Sequence, residues 1–150
     1  MKRFKFRLDS VLNIREVKEV QARESLAAAV RRLAEAEQAV SDAVARQHAL
    51  ATEIAAQRQG RFRASEQTAS AIALDHCCRE AEVLGARRAE ALRGRNQAHA
   101  EWRQRRMQLQ VIEQLKERDQ TAHQAHANRV EQSQLDEFAS LAAARALFRS

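Results

Sequence analysis

The near absence of turn-forming residues constrains this chain more than any other feature. Its 150 residues include no proline and only three glycines. Because glycine and proline set the backbone angles of most turns, a fold of many short elements would lack the residues it needs. Alanine, leucine, glutamate, glutamine and arginine dominate instead, and these residues lose least on entering a helix. The sequence therefore predicts an all-α protein, with more than about four-fifths of its residues helical.

A seven-residue repeat organises the first third of the chain. One row of the repeat contains Leu12, Glu19, Leu26, Leu33, Val40, Gln47 and Ile54, and the other contains Ala22, Ala29, Ala36, Ala43 and Leu50. Such heptads are typical of a coiled-coil helix whose seam faces a partner helix. They predict a first helix over about residues 10–58, in which Arg31, Arg32 and Gln38 face solvent.

The repeat stops at a short tip and resumes in a second helix. Gly60 allows the left-handed backbone that often ends a helix, and Ser65 suits the start of another. We predict a tip at about residues 59–65 and a second helix at about 66–145. Residues 1–150 would then form a single domain, an antiparallel coiled-coil hairpin.

The second predicted helix is longer than the first helix can cover. At a rise of about 1.5 Å per residue, roughly 30 residues after Lys116 would project about 45 Å. These residues still carry an apolar stripe, formed by Leu135, Phe138 and Leu141. Because unburied apolar stripes usually mark contact surfaces, we predict a projecting C-terminal helix that binds another protein.

The sequence offers no recognisable chemistry for catalysis or metal binding. It contains no glycine-rich phosphate loop, no nucleophile elbow and no HExxH pair. Neighbouring residues on a helix point about 100° apart, so His76, Cys77 and Cys78 cannot converge on one ion. His123 and His126 share a helix face but have no evident third ligand. We therefore expect no catalytic residue, no metal, no cofactor and no small-molecule substrate.

The charge of the chain leaves several partners open. Its formal net charge is +6, which suits acidic protein surfaces, nucleic acid or anionic lipid, and equally an ordinary solvated helix face. Nucleic acid is disfavoured as a partner because the sequence has no DNA-binding motif and no interleaved aromatic platform. No apolar run approaches the roughly 20 residues of a membrane span, and the N-terminal segment lacks the apolar core of a secretory signal. These features predict a cytoplasmic protein.

Two patterns, one at each end of the chain, point to a known family. The opening pattern F-x-F-x-L-x-x-V-L-x-x-R is formed by Phe4, Phe6, Leu8, Val11, Leu12 and Arg15. The distal pattern is formed by Trp102, Arg103, Leu109, Gln110, Leu115, Arg118, Asn128, Arg129, Asp136, Glu137, Phe138, Ala139, Ala142, Ala143 and Arg145. In their order and spacing these residues resemble the FliJ family of the bacterial flagellar type III export apparatus. Residues from about 55 to 95 show no such match.

The resemblance implies a function without catalysis. Members of this family are similar to the coiled-coil central stalk of rotary ATPases and fit into the pore of the hexameric export ATPase. They also contact the cytoplasmic domain of the export gate and help to recycle export chaperones, at the cytoplasmic side of the inner membrane. By analogy, the partner-binding residues are Trp102, Arg103, Leu115, Arg118, Asn128, Arg129, Leu135, Asp136, Glu137 and Phe138.

Some alternatives stay open at this point. Trp102 is either a seam residue or an anchor for a partner, since large aromatic side chains dominate many interfaces. A homologous stalk of the virulence-type secretion apparatus would share the same features. An unrelated basic coiled-coil scaffold, or a hairpin that binds nucleic acid, is the remaining alternative.

Overall fold

A computed structural model describes residues 4–60 and 63–147 of the chain. Two helices account for 94% of these residues. The first helix, α1, spans Asp9–Gln57 (49 residues), and the second, α2, spans Ala64–Leu147 (84 residues). No strand occurs within the described ranges. The predictions of an all-α protein and of two long helices are thereby confirmed.

The connection between the helices differs from the predicted tip. None of the described glycines has a positive φ, so Gly60 does not use the left-handed backbone that glycine allows. Ser65 lies inside α2 rather than at its start. The helix is capped two residues earlier, where the backbone N–H of Arg63 donates to Oε2 of Glu66 at 3.1 Å. This is half of a capping box, which satisfies a free N–H at the start of a helix. Residues 61 and 62 of the predicted tip lie outside the described residues.

The chain is divided into two compact units. Unit 1 combines the described residues of 1–19 with those of 105–150, and unit 2 consists of the described residues of 20–104. The single hairpin domain over residues 1–150 stays a prediction.

Unit 2 is built on the predicted seam of α1. Leu33 and Ile54 are each only 8% exposed and Ala43 is 2% exposed. Leu26 and Val40 are half-buried, whereas the neighbouring polar residues predicted to face solvent are exposed; these are Arg31, Arg32 and Gln38. The heptad register predicted for α1 is therefore confirmed.

Polar contacts join the two helical segments of unit 2 in hairpin order. The amide of Gln47 donates to Sγ of Cys78 at 3.3 Å, so a polar residue is accommodated at a seam position. Two ion pairs flank the seam, Arg46 with Glu80 at 2.8 Å and Glu37 with Arg88 at 3.8 Å. Arg88 is exposed, and its guanidinium reaches outward to Glu37.

Unit 1 is closed by the segment that precedes α1. Phe6 is 4% exposed and lies under the ammonium group of Lys116, which is 5.9 Å from its ring centroid. Nζ of Lys116 is also 3.1 Å from Oδ1 of Asp9. Further along α2, the ring of His123 meets Phe4 edge-on at 5.5 Å between centroids. The N-terminal segment therefore packs on α2 as far as His123.

Candidate partner-binding surface

The distal part of α2 carries large apolar side chains on an exposed helix. Every described side chain from residue 128 to 145 is exposed. Leu135 is 58% exposed, Phe138 is 71% exposed and Leu141 is 58% exposed. Leu135, Phe138 and Ala142 share one helix face, since they are three and seven residues apart, and Leu141 lies at its edge. We call Leu135, Phe138, Leu141 and Ala142 the distal stripe.

The polar residues of this segment are held by bonds within the helix. Asn128 accepts a hydrogen bond from the amide of Gln124 at 3.0 Å. Asp136 accepts one from the amide of Gln132 at 3.1 Å, and its backbone carbonyl accepts another from the hydroxyl of Ser140 at 2.8 Å. Such local bonds support the helix but bury nothing. The distal stripe is therefore presented on a regular helix without packing of its own.

The candidate residues do not form one cluster. Trp102 and Arg103 belong to unit 2, while the other eight candidates belong to unit 1. Among those eight, Leu135 and Phe138 lie on the distal stripe. Arg118, Arg129 and Asp136 share a different side of α2, about 100° from Leu135 at 100° per residue. All eight are exposed; they are Leu115, Arg118, Asn128, Arg129, Leu135, Asp136, Glu137 and Phe138.

Trp102 has a mixed environment. Its side chain is half-buried on the heptad row that also contains the buried Leu109. The imidazole of His99 lies 5.9 Å from its ring, tilted by 42°. This placement favours the seam role of Trp102 over that of a free anchor, whereas Arg103 next to it is exposed.

A second exposed apolar surface, in unit 1, was not predicted from the sequence. It consists of Val11 and Ile14 on α1 with Val111 and Leu115 on α2, which are between 36% and 56% exposed. We call these four residues the proximal face. Only Leu115 was among the candidates, since a heptad count follows the seam and ignores the positions beside it.

The described residues show no arrangement for a metal site or a membrane span. His76 is exposed, and the free thiols of Cys77 and Cys78 are half-buried. In the described part of the chain, no three His, Cys, Asp or Glu side chains come together as metal ligands. Neither helix, over its described length, contains a segment long and apolar enough to cross a membrane.

Comparison with known proteins identifies a family that includes these surfaces in its matched range. The chain matches the family described as "Flagellar FliJ protein" over residues 4–147. No significant match was found to a curated protein or to a solved structure. The matched range includes both helices, the distal stripe and the proximal face.

Proposed function

This chain belongs to the FliJ family of flagellar export proteins, and on that premise we propose that it is the stalk of the export ATPase. In this proposal the two helices form an antiparallel coiled coil, and the C-terminal part of α2 projects from it. The projecting helix enters the ATPase hexamer and promotes its assembly and activity. The protein itself carries out no reaction.

The observation that supports this proposal is the exposure of the distal stripe. Fully burying a leucine or phenylalanine side chain contributes about 1.5 to 3 kcal/mol. Leu135 and Phe138 are 58% and 71% exposed, so their burial in a ring would contribute together about 3 kcal/mol. That corresponds to roughly a hundredfold in affinity. This free energy is large enough to affect binding and small enough to let the stalk move inside the ring.

Basic residues on other sides of the same helix would add electrostatic attraction. Arg118, Arg129 and Arg145 are exposed along the same segment of α2 and would meet acidic groups on the inner wall of the ring. Exposed charges act mainly on association rate and specificity, and salt screens them. Reversing one of these charges should therefore weaken binding without abolishing it.

The family also suggests the remaining partners. We propose that the protein contacts the cytoplasmic domain of the export gate and assists the recycling of export chaperones. Through these contacts a cytoplasmic protein would associate peripherally with the inner membrane. None of the described residues is assigned to the gate or to a chaperone.

Truncation after Ala127 tests the role of the distal helix. It preserves the contacts that close unit 1, including Phe4 with His123 and Asp9 with Lys116, whereas removing residues from 115 onward would destroy them. We expect the truncated protein to lose stimulation of the cognate flagellar ATPase while the described core stays helical by circular dichroism. A folded truncated protein that stimulates as well as the full chain would exclude the distal helix as the binding element.

A double substitution in the distal stripe tests these side chains without removing the helix. Leu135→Ser with Phe138→Ser should reduce stimulation of the ATPase strongly. The matched control, Ile72→Ser with Val83→Ser, removes two side chains that are likewise 66% and 53% exposed and should leave it unchanged. Stimulation of a virulence-type ATPase in place of the flagellar one, or salt-dependent binding to DNA without any effect on an ATPase, would support the alternatives instead.

A further inference from the structure

The proximal face combines side chains from both helices of unit 1. Val11 and Ile14 are 36% and 55% exposed on α1, and Val111 and Leu115 are 56% and 37% exposed on α2. None of these side chains is needed in the seam, where Leu12 and Leu109 are buried. Four exposed apolar side chains on one side of a helix pair exceed the scattered single residues normal for a protein surface.

One hydrogen bond shows that the two halves of the proximal face lie on the same side of the helix pair. The guanidinium of Arg15 donates to Oε1 of Gln108 across the seam. Val11 lies four residues before Arg15, and Val111 lies three residues after Gln108. Residues three or four apart share a helix face. Val11 and Ile14 therefore lie on the same side as Val111 and Leu115.

The charges around this face are mostly of one sign. Lys18 shares the helix face of Ile14, Arg118 shares that of Val111, and both are exposed. The acidic residues of the same stretch point to the opposite side, apart from Asp119 at the edge; these residues are Asp9, Glu16, Glu113 and Glu117. The proximal face is therefore apolar in its centre and basic at its ends.

We propose that the proximal face is a docking surface for an acidic amphipathic helix of another protein. Two helices packed side by side leave a groove that a third helix fills with its own apolar ridge. Leucines spaced three and four residues apart would meet Ile14 and Val111, and glutamates beside them would meet Lys18 and Arg118. The surface would thus be completed as a three-helix arrangement.

Two other occupants fit the observations less well. A second copy of the chain would bring two basic faces together, which opposes association. A lipid surface usually selects an apolar face of tryptophan, phenylalanine and leucine along with basic residues, and Leu115 is the one residue of these types among the four side chains here.

The proposed acidic helix would not cover the distal stripe. Val111 and Phe138 are separated by 27 residues of continuous helix, which places them about 180° apart at 100° per residue. One straight helix therefore cannot cover both surfaces.

The test uses a synthetic helical peptide of about three heptads, with leucines along one face and glutamates flanking them. A matched peptide carries lysine at every glutamate position. By fluorescence anisotropy, the full chain should bind the acidic peptide at least about tenfold more tightly than the basic one. Ile14→Gln with Val111→Gln should weaken binding about tenfold or more, with unchanged helicity.

The controls use residues outside the proximal face. Val44→Gln with Ile72→Gln replaces two apolar side chains that are 53% and 66% exposed in unit 2 and should leave peptide binding unchanged. Equal affinity for both peptides, or an equal loss in this control, would overturn the proposal. So would binding to anionic phospholipid vesicles, or self-association in sedimentation, that the Ile14 and Val111 substitutions abolish. If those substitutions also abolish ATPase stimulation, the face belongs to the ATPase interface and the second partner is excluded.

Discussion

Two glycines inside α2 should limit the stability of unit 2. Gly85 and Gly94 lie in the interior of the helix without a positive φ. A methyl group added at either position would meet no heavy atom within 4 Å apart from its chain neighbours and the backbone of its own helix. Glycine in a helix interior costs about 1 kcal/mol relative to alanine, through the greater freedom of the unfolded chain. Gly85→Ala with Gly94→Ala should therefore raise the free energy of unfolding by about 2 kcal/mol.

Two signals measure this change. Circular dichroism at 222 nm follows both helices, while the fluorescence of Trp102, the only tryptophan of the chain, reports on unit 2. For a chain of this size, 2 kcal/mol corresponds to a rise in Tm of about 4 to 8 °C. The rise should be seen in the fluorescence transition, since both substitutions lie in unit 2.

A control at the end of α1 separates helix propensity from a general effect of removing glycine. A Cβ at Gly60 would lie 3.7 Å from the carbonyl oxygen of Gln57, an ordinary contact. Because Gly60 follows α1 rather than lying inside a helix, Gly60→Ala should change stability by only about 0.5 kcal/mol. If the double variant is no more stable than the wild type, or is less helical, the reasoning about these glycines is refuted.

Two further predictions concern the seam and an ion pair. Leu33→Asp places an unpaired charge at a site that is 8% exposed and should remove much of the helical signal at 222 nm. The control Val30→Asp changes a site that is 46% exposed and should keep that signal. A small loss from Leu33→Asp would mean that the heptad register is wrong. Lys116→Gln should destabilise unit 1 by less than about 1 kcal/mol in urea unfolding, since the side chains of Lys116 and Asp9 are 39% and 57% exposed. This loss of stability should shrink at high salt, because exposed charges are screened. A loss above about 1 kcal/mol that does not depend on salt would show that the contact of Lys116 with Phe6 matters more than its charge.

The seam of α1 could be predicted because burial and spacing have a single common cause. A residue repeated every seven positions returns to the same side of a supercoiled helix, whatever its polarity. Glu19 illustrates this, since it is a charged residue on the predicted row and is only 6% exposed. Gln47 on the same row is accommodated by its hydrogen bond to Cys78. The spacing therefore identified seam positions that residue type alone would have rejected.

Features that depend on the facing helix could not be predicted in this way. The proximal face requires the register of α1 against α2, which the hydrogen bond from Arg15 to Gln108 supplies and neither helix encodes alone. Local capping was also ambiguous, because several residues near a helix start can accept or donate the same bond. Ser65 was plausible as a cap, but Glu66 reaches back to the N–H of Arg63 instead.

The distal helix shows why an exposed stripe can remain ordered enough to bind. Isolated helices shorter than about 12 to 15 residues are marginal because the first turn is costly to form. The segment after residue 127 avoids this cost, since it only propagates a helix that begins at Ala64. Alanines at 142, 143 and 144 and the local bonds to Asp136 favour that propagation. A stripe already held on a helix loses less conformational entropy when a partner covers it, which supports the proposal that a few exposed apolar side chains are enough to bind the ATPase.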